Sequence, residues 1–379
     1  MKFLFTIGFA VSLSTGGLVA QDIRWPQFHG FVTEAFSYTG GNNYLGMNTN
    51  AGSPAWIEAA VNGNEQITDN LRIGAQVHLT KLGAFGASGL DLDWALADFR
   101  IKEWLGVRAG KVKIRWGLYN DLQDADPGYV WSLLPEPIYA VDWRATNLSQ
   151  MGAELYGKVG LPSRVGALEY SIYYGYYRYA AHDGYMETYK EEGLNFRDLP
   201  GGITPGFDLR WRTPVKGFTL GGSVMLYNAK GNLVNGSFRE PLTYWPTYYV
   251  QYNRKKFFAS AQYVRLVQYN DVATDGQPFS SSLQDTRSWF VMTGYNLTNK
   301  LRLGVYRTQY FVAGADLSNP ANYFRDWTFS GRYDFNVHFY CKLEGHLIDG
   351  TGGGFYGFDN PNGLLPQTKL LVAKAGFIF

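Results

Sequence analysis

A cluster of basic residues is the most chemically suggestive feature of the sequence. Arg108, Lys111 and Lys113 lie within six positions of one another, directly before a long segment that is rich in carboxylates. Like charges held on one confined face raise the local concentration of counter-ions. Acidic groups facing them would create a transverse field, and such opposed charges select ions in narrow water-filled spaces. We therefore expect this region to discriminate between ions rather than to break bonds.

The candidate residues form two groups. The basic group stands at positions that alternate with apolar residues and comprises Arg72, Arg100, Arg108, Lys111, Lys113, Lys158 and Arg332. The second group lies in the segment 115–150 and comprises Arg115, Asp121, Asp124, Asp126 and Glu136. That segment also carries more apolar surface than a solvated loop tolerates, so we expect it to fold inward and present its carboxylates to the basic wall. The alternative is an outer loop that packs at a subunit interface.

The elements that carry these residues have the two-residue period of β-strands. Between Leu71 and Thr80 the odd positions are apolar while the even positions hold the polar side chains, and residues 151–159 repeat this pattern. Runs of about 9 to 11 alternating residues match a tilted strand that crosses a bilayer. Near Gly110 the apolar parity changes, which predicts a bulge that keeps Arg108, Lys111 and Lys113 on one face.

The connections between these segments alternate between short and long. Turns such as 254–256 and 298–300 contrast with Gly-, Asn- and Asp-rich stretches such as 228–240, 270–285 and 350–367. An up-and-down antiparallel β-barrel with tight turns at one end and long loops at the other produces this rhythm. The prediction is an all-β transmembrane barrel of about 16 strands with a long inward-folded third loop, beginning near His29.

Composition excludes several other classes. Charged residues make up only 17% of the 379 residues and aromatic residues another 17%, yet the mean hydropathy is slightly negative at -0.22. Apolar residues are therefore interleaved with polar ones, which excludes a bundle of transmembrane helices. The net charge of +2 is too small to indicate nucleic-acid binding.

The first twenty residues have the pattern of a secretory signal peptide. Lys2 precedes an apolar stretch that ends near Leu13, and small residues lead to Ala20, after which we expect cleavage. Residues 21–379 would then form a single barrel domain.

No catalytic or cofactor site is evident in the sequence. The five histidines lack metal-ligand spacing, and the single Cys341 excludes a CxxC motif. No Gly-x-Ser-x-Gly elbow is present, and the glycines at 83, 86 and 89 are followed by no helix pattern. The expectation is a non-enzymatic protein with no metal and no cofactor.

The last strand carries a family resemblance. Ala375, Phe377 and Phe379 alternate with Gly376 and Ile378, and the chain ends on an aromatic residue. This resembles the C-terminal signature of bacterial outer-membrane barrels, whose assembly machinery recognises a final strand that ends in Phe. Residues 110–120 are similar to the strand that runs into the constriction loop of phosphate-selective-type and related porins. The resemblance implies a trimeric 16-stranded porin.

The expected function follows from these features together. We expect a porin of the bacterial outer membrane that lets ions and small hydrophilic solutes diffuse through a water-filled channel, with a mild anion preference. Its partners would be outer-membrane lipid, those solutes and two further copies in a homotrimer. The alternative is a substrate-specific uptake channel with an aromatic binding track of Tyr129, Trp131, Tyr173 and Tyr177. A structural or adhesion barrel with a plugged lumen is a third possibility.

Overall fold

The computed structural model describes residues 27–86, 90–274 and 276–379, which form one closed antiparallel sheet. The expected signal peptide, residues 1–20, lies outside the described residues. The strands are β1 (Gln27–Gly40), β2 (Ser53–Gln66), β3 (Leu71–Leu82), β4 (Asp91–Lys102), β5 (Leu105–Lys113), β6 (Ser149–Gly160), β7 (Ala167–Arg178), β8 (Gly201–Ile203), β9 (Gly206–Arg212), β10 (Phe218–Leu233), β11 (Gly236–Arg254), β12 (Phe257–Thr274), β13 (Ser280–Asn296), β14 (Leu301–Val312), β15 (Tyr323–Asp334), β16 (Phe339–Gly350) and β17 (Gln367–Ile378).

These strands occupy sixteen positions around the barrel, because β8 and β9 share one of them. Both pair with β7 on one side and with β10 on the other. Pro205 lies between them and has no backbone N–H to donate, but its carbonyl still accepts from the Leu226 amide. The predicted 16-stranded antiparallel barrel is therefore confirmed.

The first and last strands close the barrel. β1 pairs with β17 from Phe31 opposite Ile378 to Gly40 opposite Lys369. Gly30 and Phe379 also exchange both of their backbone hydrogen bonds, each at 3.0 Å. Closure matters because an unpaired strand edge in hydrocarbon would leave backbone groups without partners.

Each strand turns one face inward and one face outward. On β7, Ser171, Tyr173 and Tyr177 are buried inside, whereas Ile172 and Tyr174 lie outside and are 53% and 60% exposed. β3 follows the predicted parity, with Gln76 and His78 buried inside while Ile73 and Val77 are exposed outside. The outer face is thus apolar, while the inner face carries the polar and charged side chains.

Short turns lie at one end of the barrel and the long connections lie at the other. Two connections expected to be long, 228–240 and 270–285, are instead mostly strand, because β10 to β13 are 16 to 19 residues long. Their residues extend the wall as paired hairpins beyond the length of the other strands. The polar character of these segments reflects strands that continue past the apolar band, not loops.

The few helices lie in the long connections. They are α1 (Arg144–Asn147), α2 (Gly184–Glu191) and short 3-10 turns at Thr49–Ala51, Asn120–Leu122, Asp126–Gly128, Val141–Trp143 and Pro320–Asn322. Within the residues that the structure describes, no helix has both the length and the apolar character needed to span a membrane.

Barrel closure can be tested with a cross-strand disulfide. Glu34 on β1 and Ala375 on β17 are directly opposed on the outer face, a separation that a disulfide can bridge. Replacing both with Cys should link the first and last strands on mild oxidation. Cys341 must first be changed to Ser, because it lies opposite Ala375 on β16. The measurement is the electrophoretic mobility of the denatured protein with and without reductant.

The matched control is Glu34→Cys with Ala373→Cys in the same background. This pair is offset by two residues along β17, so it should cross-link much less than the opposed pair. Equal cross-linking of both pairs would contradict the register.

Candidate functional site

The residues between β5 and β6, numbered 114–148 and called the inner loop here, contact the inward-facing side chains of many strands. The Trp116 indole donates to the Trp245 carbonyl on β11 at 3.2 Å, and the Gly117 amide donates to Ser223 on β10 at 2.9 Å. Four strands farther around the barrel, the Ser330 hydroxyl of β15 donates to the Val130 carbonyl at 2.9 Å. The inner loop therefore bridges distant parts of the wall within the barrel.

Apolar packing fills much of the space between the inner loop and the wall. Trp116 lies 4.5 Å from Trp245 between ring centroids, and Trp131 lies 5.0 Å from Tyr306 on β14. Trp116 and Trp131 of the inner loop are almost completely buried. The apolar residues of the loop are thus used in packing, and burial of such large side chains is strongly stabilising.

Asp126 attaches the inner loop to the wall by two salt bridges. Its carboxylate lies 3.0 Å from the Lys342 ammonium on β16 and 2.9 Å from the Lys374 ammonium on β17, and it accepts a 2.6 Å hydrogen bond from Tyr340. Burial alone would raise the pKa of Asp126, but the two ammonium groups outweigh burial and hold it well below its usual value. We call Asp126, Lys342 and Lys374 the anchor cluster.

The anchor cluster balances a row of like charges on the inner wall. Arg302, Arg332, Lys342 and Lys374 are successive cross-strand neighbours on β14 to β17. Like charges directly opposite one another are destabilising in a sheet. Asp334 lies 2.8 Å from each of the two arginines, and Glu58 on β2 lies 3.1 Å from Lys374. The inner loop supplies Asp126 as a further counter-charge.

Glu344 holds the next part of the inner loop by its backbone. The carboxylate accepts from the amides of Ser132 and Leu133, both at 2.8 Å. His346 lies beside Glu344 and contacts Asp326 at 2.7 Å, so this buried group combines two acids with one histidine. The loop is thereby fixed at consecutive points along one side of the barrel.

A charged cavity lies against the part of the wall formed by β2 to β6, and we call its charged lining the vestibule cluster. The cavity has a volume of about 440 Å³. Its charged lining residues are four bases and two acids: Arg72, Arg108, Lys113, Arg115, Asp121 and Glu154. The lining therefore has more positive than negative charge.

Salt bridges order the vestibule cluster. Arg108 contacts Glu154 at 2.9 Å and Asp98 at 3.2 Å, and Arg72 contacts the same Asp98 at 3.0 Å. Lys113 contacts Asp124 of the inner loop at 2.6 Å. Among the described residues, the acids nearest to the Arg115 guanidinium are farther away, Asp208 at 3.5 Å and Glu169 at 3.8 Å.

Lys111 does not belong to this cluster, which corrects the sequence prediction. It is paired with Met151 on β6, which is 58% exposed on the outer face, and its ammonium donates to the Leu92 carbonyl. Gly110 has a φ of +124°, but β5 stays in register through it. Lys113 has the same parity as Lys111, but it is the last residue of β5 and its ammonium reaches Asp124 of the inner loop. Val112 and Ile114 face inward because the inner loop covers them, so their apolar character signals burial and not a bulge.

The remaining predicted residues are distributed around the barrel. Arg100 and Lys158 lie on the inward-facing parity of β4 and β6, near the turn end. Arg332 is buried and donates to the Pro127 and Tyr129 carbonyls of the inner loop. Glu136 is buried in the inner loop, beside the Asp142 carboxyl. The acids of the inner loop thus contact two separate basic regions: Asp124 contacts Lys113, and Asp126 contacts Lys342 and Lys374.

The four aromatic residues expected to form a binding track do not share one surface. Tyr173 and Tyr177 are buried on β7 and Trp131 is buried against β14, while Tyr129 lies 4.9 Å from the Lys342 ammonium. Ring packing between loop and wall accounts for their burial.

The sequence does not predict several residues that hold the inner loop or line the interior. Lys342 and Lys374 have the inward parity of their strands, but nothing in the sequence pairs them with Asp126, which is more than 200 positions away. Asp208 and Arg210 alternate with the outward Phe207, Leu209 and Trp211, so parity could have placed them inside.

A metal site would need several His, Cys, Asp or Glu side chains close together. Among residues 27–86, 90–274 and 276–379, no group of three or more His, Cys, Asp or Glu side chains is arranged to hold a metal ion.

Comparisons with solved structures identify the fold. The chain is similar to the outer membrane protein OmpT of Vibrio cholerae in its trimer form, with a TM-score of 0.57 at 10% identity over 94% of this chain and 99% of that one. It is also similar to the anion-selective porin from Comamonas acidovorans, with a TM-score of 0.56 at 10% identity over 94% and 99%.

A third similar structure is OmpF of Salmonella typhi in complex with daunomycin, with a TM-score of 0.57 at 14% identity over 93% and 97% of the two chains. No protein-family model and no curated protein matches the sequence. At these identities the similarity establishes the fold, which is that of the 16-stranded bacterial outer-membrane porins.

Neutralising Asp126 should loosen the inner loop. In Asp126→Asn, two buried ammonium groups lose their shared carboxylate, and removing one partner of a buried pair costs roughly 3–5 kcal/mol. We expect protease cleavage within residues 120–134 to become faster at a temperature where the barrel stays folded. The measurement is limited proteolysis followed by mass spectrometry.

Asp316→Asn, in an exposed outer connection, is the control and should cleave like the unmodified protein. Adding Lys342→Met to Asp126→Asn removes one unpaired charge and should restore part of the resistance. Unchanged cleavage in Asp126→Asn would mean that other contacts hold the loop.

Proposed function

We propose that the chain is a porin of the bacterial outer membrane that conducts ions and small hydrophilic solutes passively. The observation that carries this proposal is the closed barrel itself, with an apolar outside, a charged inside and a loop that narrows the interior. An apolar band of alternating strands suits hydrocarbon, and the polar inner face suits water. Residues 1–20 would direct export and be removed.

A non-enzymatic role agrees with this arrangement. The buried charged groups of the interior are used in salt bridges between loop and wall, such as the anchor cluster, and the similar structures include porins. We propose that the protein needs no cofactor for its function.

The vestibule cluster supports a mild anion preference. Arg108, Lys113 and Arg115 line the same cavity, whose basic residues outnumber its acids. Positive charge in a confined space raises the local anion concentration, and the charge at the narrow part of a pore sets its selectivity. Asp121 and Glu154 reduce this field, which is why the preference should be mild.

A substrate-specific uptake channel is the second candidate. It is favoured by the apolar packing of the inner loop, because a lumen partly filled by Trp116, Trp131 and their neighbours leaves separate cavities rather than one wide opening. Saturable block of the current by one solute at low concentration would distinguish this channel from a general porin.

Conductance in planar bilayers tests the porin proposal and its selectivity together. Folded protein should produce discrete open-channel steps, and a salt gradient should give a zero-current potential of the sign expected for anions. Lys113→Gln with Arg115→Gln should shift this potential toward cation selectivity, because both charges line the cavity. Absence of channel steps from folded protein would contradict the proposal.

Lys111→Gln is a matched control for this measurement. It removes one positive charge within a few residues of the same cavity, but from the outer side of β5. The zero-current potential should therefore stay unchanged. An equal shift in Lys111→Gln would mean that the effect is not specific to the vestibule cluster.

We also propose a homotrimer, with contacts formed by a flat region of the outer face. Ala97, Ala109 and Ala153 are direct neighbours on β4, β5 and β6 and face outward, whereas β7 presents Ile172 and Tyr174. Small residues let two barrels approach closely. OmpT of Vibrio cholerae, to which the chain is similar, has a trimer form.

A bulky residue in the alanine row should weaken the trimer. Ala109→Trp places an indole where a close contact is expected, and we predict monomers by light scattering in mild detergent. Leu209→Trp, on the outer face of β9, is the control that should remain trimeric. A trimeric Ala109→Trp protein would place the interface elsewhere.

A further inference from the structure

Four arginines stand on successive strands of the outer face of the barrel. They are Arg265 on β12, Arg287 on β13, Arg307 on β14 and Arg325 on β15. Each has the outward parity of its strand, because a residue next to it in sequence is buried on the inner face: Val264, Thr286, Thr308 and Asp326, respectively. We call these four residues the arginine row.

The arginine row lies at one edge of the apolar band. Counted from the short-turn end of each strand, the outward residues that come before the arginine are uncharged, and the last of them are Tyr263, Trp289, Val305 and Trp327. In outer-membrane barrels the short turns face the periplasm and the long loops face the outside of the cell. The arginine row therefore lies level with the lipid headgroups of the outer leaflet.

Acidic neighbours neutralise only half of the arginine row. Asp285 lies 2.8 Å from Arg265, and Asp349 lies 3.2 Å from Arg325. Among the described residues, no acid lies within salt-bridge distance of Arg287 or Arg307. Arg287 is also directly opposite Arg265, and like charges in that position are destabilising. An anion bound between these guanidinium groups would offset the repulsion.

Aromatic rings position two of the guanidinium groups. The Arg307 guanidinium lies 5.4 Å from the centre of the Trp327 ring, and that of Arg325 lies 4.4 Å from the centre of the Tyr323 ring. A guanidinium held in this way keeps N–H donors at its edge for an oxyanion. On the turn side of the arginine row, Tyr263, Val291 and Trp327 are exposed on the outer face and offer apolar surface to acyl chains.

We propose that the arginine row binds an anionic glycolipid of the outer leaflet whose headgroup carries at least two phosphate groups. Arginine binds phosphate through two parallel N–H donors. Arg287 is opposite Phe311, which is four residues from Arg307 on β14, or about 13 Å at strand rise. The two arginines without an acid partner are thus far enough apart for separate phosphate groups.

The position of the arginine row favours a lipid over a free anion. A lipid contacts the arginines with its headgroup and the adjacent apolar band with its acyl chains, whereas a free phosphate contacts the arginines alone. The site rests on the location of the barrel in the outer membrane and not on conduction through it. Channel steps in phosphatidylcholine bilayers therefore test the porin proposal separately from lipid binding.

Native mass spectrometry of the folded protein in mild detergent, titrated with diphosphoryl lipid A, tests the proposal. We expect saturable binding of this glycolipid. Phosphatidylcholine, whose headgroup has no net charge, should bind about tenfold more weakly or less, and equal binding of the two lipids would overturn the proposal. Inorganic pyrophosphate at the same concentration should not displace lipid A. Displacement would mean that the site takes a free anion, which would also overturn it.

Two sets of variants locate the binding. Arg287→Gln with Arg307→Gln should weaken lipid A binding about tenfold or more, because the two arginines without an acid partner are lost. Arg178→Gln is the matched control, since Arg178 also follows apolar residues on the outer face but lies on β7, separated from the arginine row by β9 to β11. It should leave binding unchanged, and equal weakening in the control would overturn the proposal.

Lysine variants distinguish a built site from general attraction to positive charge. Arg287→Lys with Arg307→Lys keeps both charges but removes the planar donor groups, so lipid A binding should weaken severalfold. Unchanged binding would mean that charge alone attracts the lipid, and the proposal would be wrong. If the double glutamine variant fails to fold, Arg307→Gln alone takes its place, and unweakened binding in that folded variant would equally overturn the site.

Discussion

The row of positive charges on β14 to β17 is the constraint on which the interior depends. Arg302, Arg332, Lys342 and Lys374 are adjacent across four strands and face inward, so counter-charges near them stabilise the closed barrel. Asp334 and Glu58 provide part of this charge from the wall. The rest comes from Asp126, which the chain can supply only by sending the inner loop across the lumen.

Once Asp126 is in place, the path of the inner loop is largely determined. Residues that follow it donate or accept hydrogen bonds with Arg332, Ser330 and Glu344, so the loop runs along β15 and β16. Residues that precede it must return to β5, which brings Asp124 to Lys113. The apolar side chains of the loop then pack on inward-facing aromatic residues, an arrangement that a solvated pore wall would not otherwise contain.

The barrel could be predicted from the sequence because the patterns that indicate it involve only neighbouring residues. Alternation over ten residues, short turns and the last strand each depend on neighbouring positions, so the parity of β3 and β7 needs no knowledge of distant residues. The interior could not be predicted in the same way. Asp126 meets Lys342 and Lys374 through contacts between positions more than 200 apart, and parity gives a face but no partner.

Lys111 shows how this missing information produces a specific error. Apolar Val112 and Ile114 predict a change of register only if every inward face is polar. The structure keeps the register and covers both residues with the inner loop, which leaves Lys111 outside, whereas Lys113 reaches Asp124 of the loop from the end of β5. An apolar residue at an inward position is therefore evidence for a covering loop as much as for a bulge.

The inner loop also divides the interior into regions of opposite charge. On one side the vestibule cluster has four bases and two acids, and on the other side the cavity around Glu136 and Asp142 has acids alone among its described charged lining residues. When acids and bases face each other at one constriction, a solute experiences both charges at the same time. When they lie in separate cavities, a solute experiences the positive field in one place and the negative field in another. Under the proposed channel function, the two fields would act on a solute at separate places, and their separation is set by the single chain segment that Asp126 holds across the lumen.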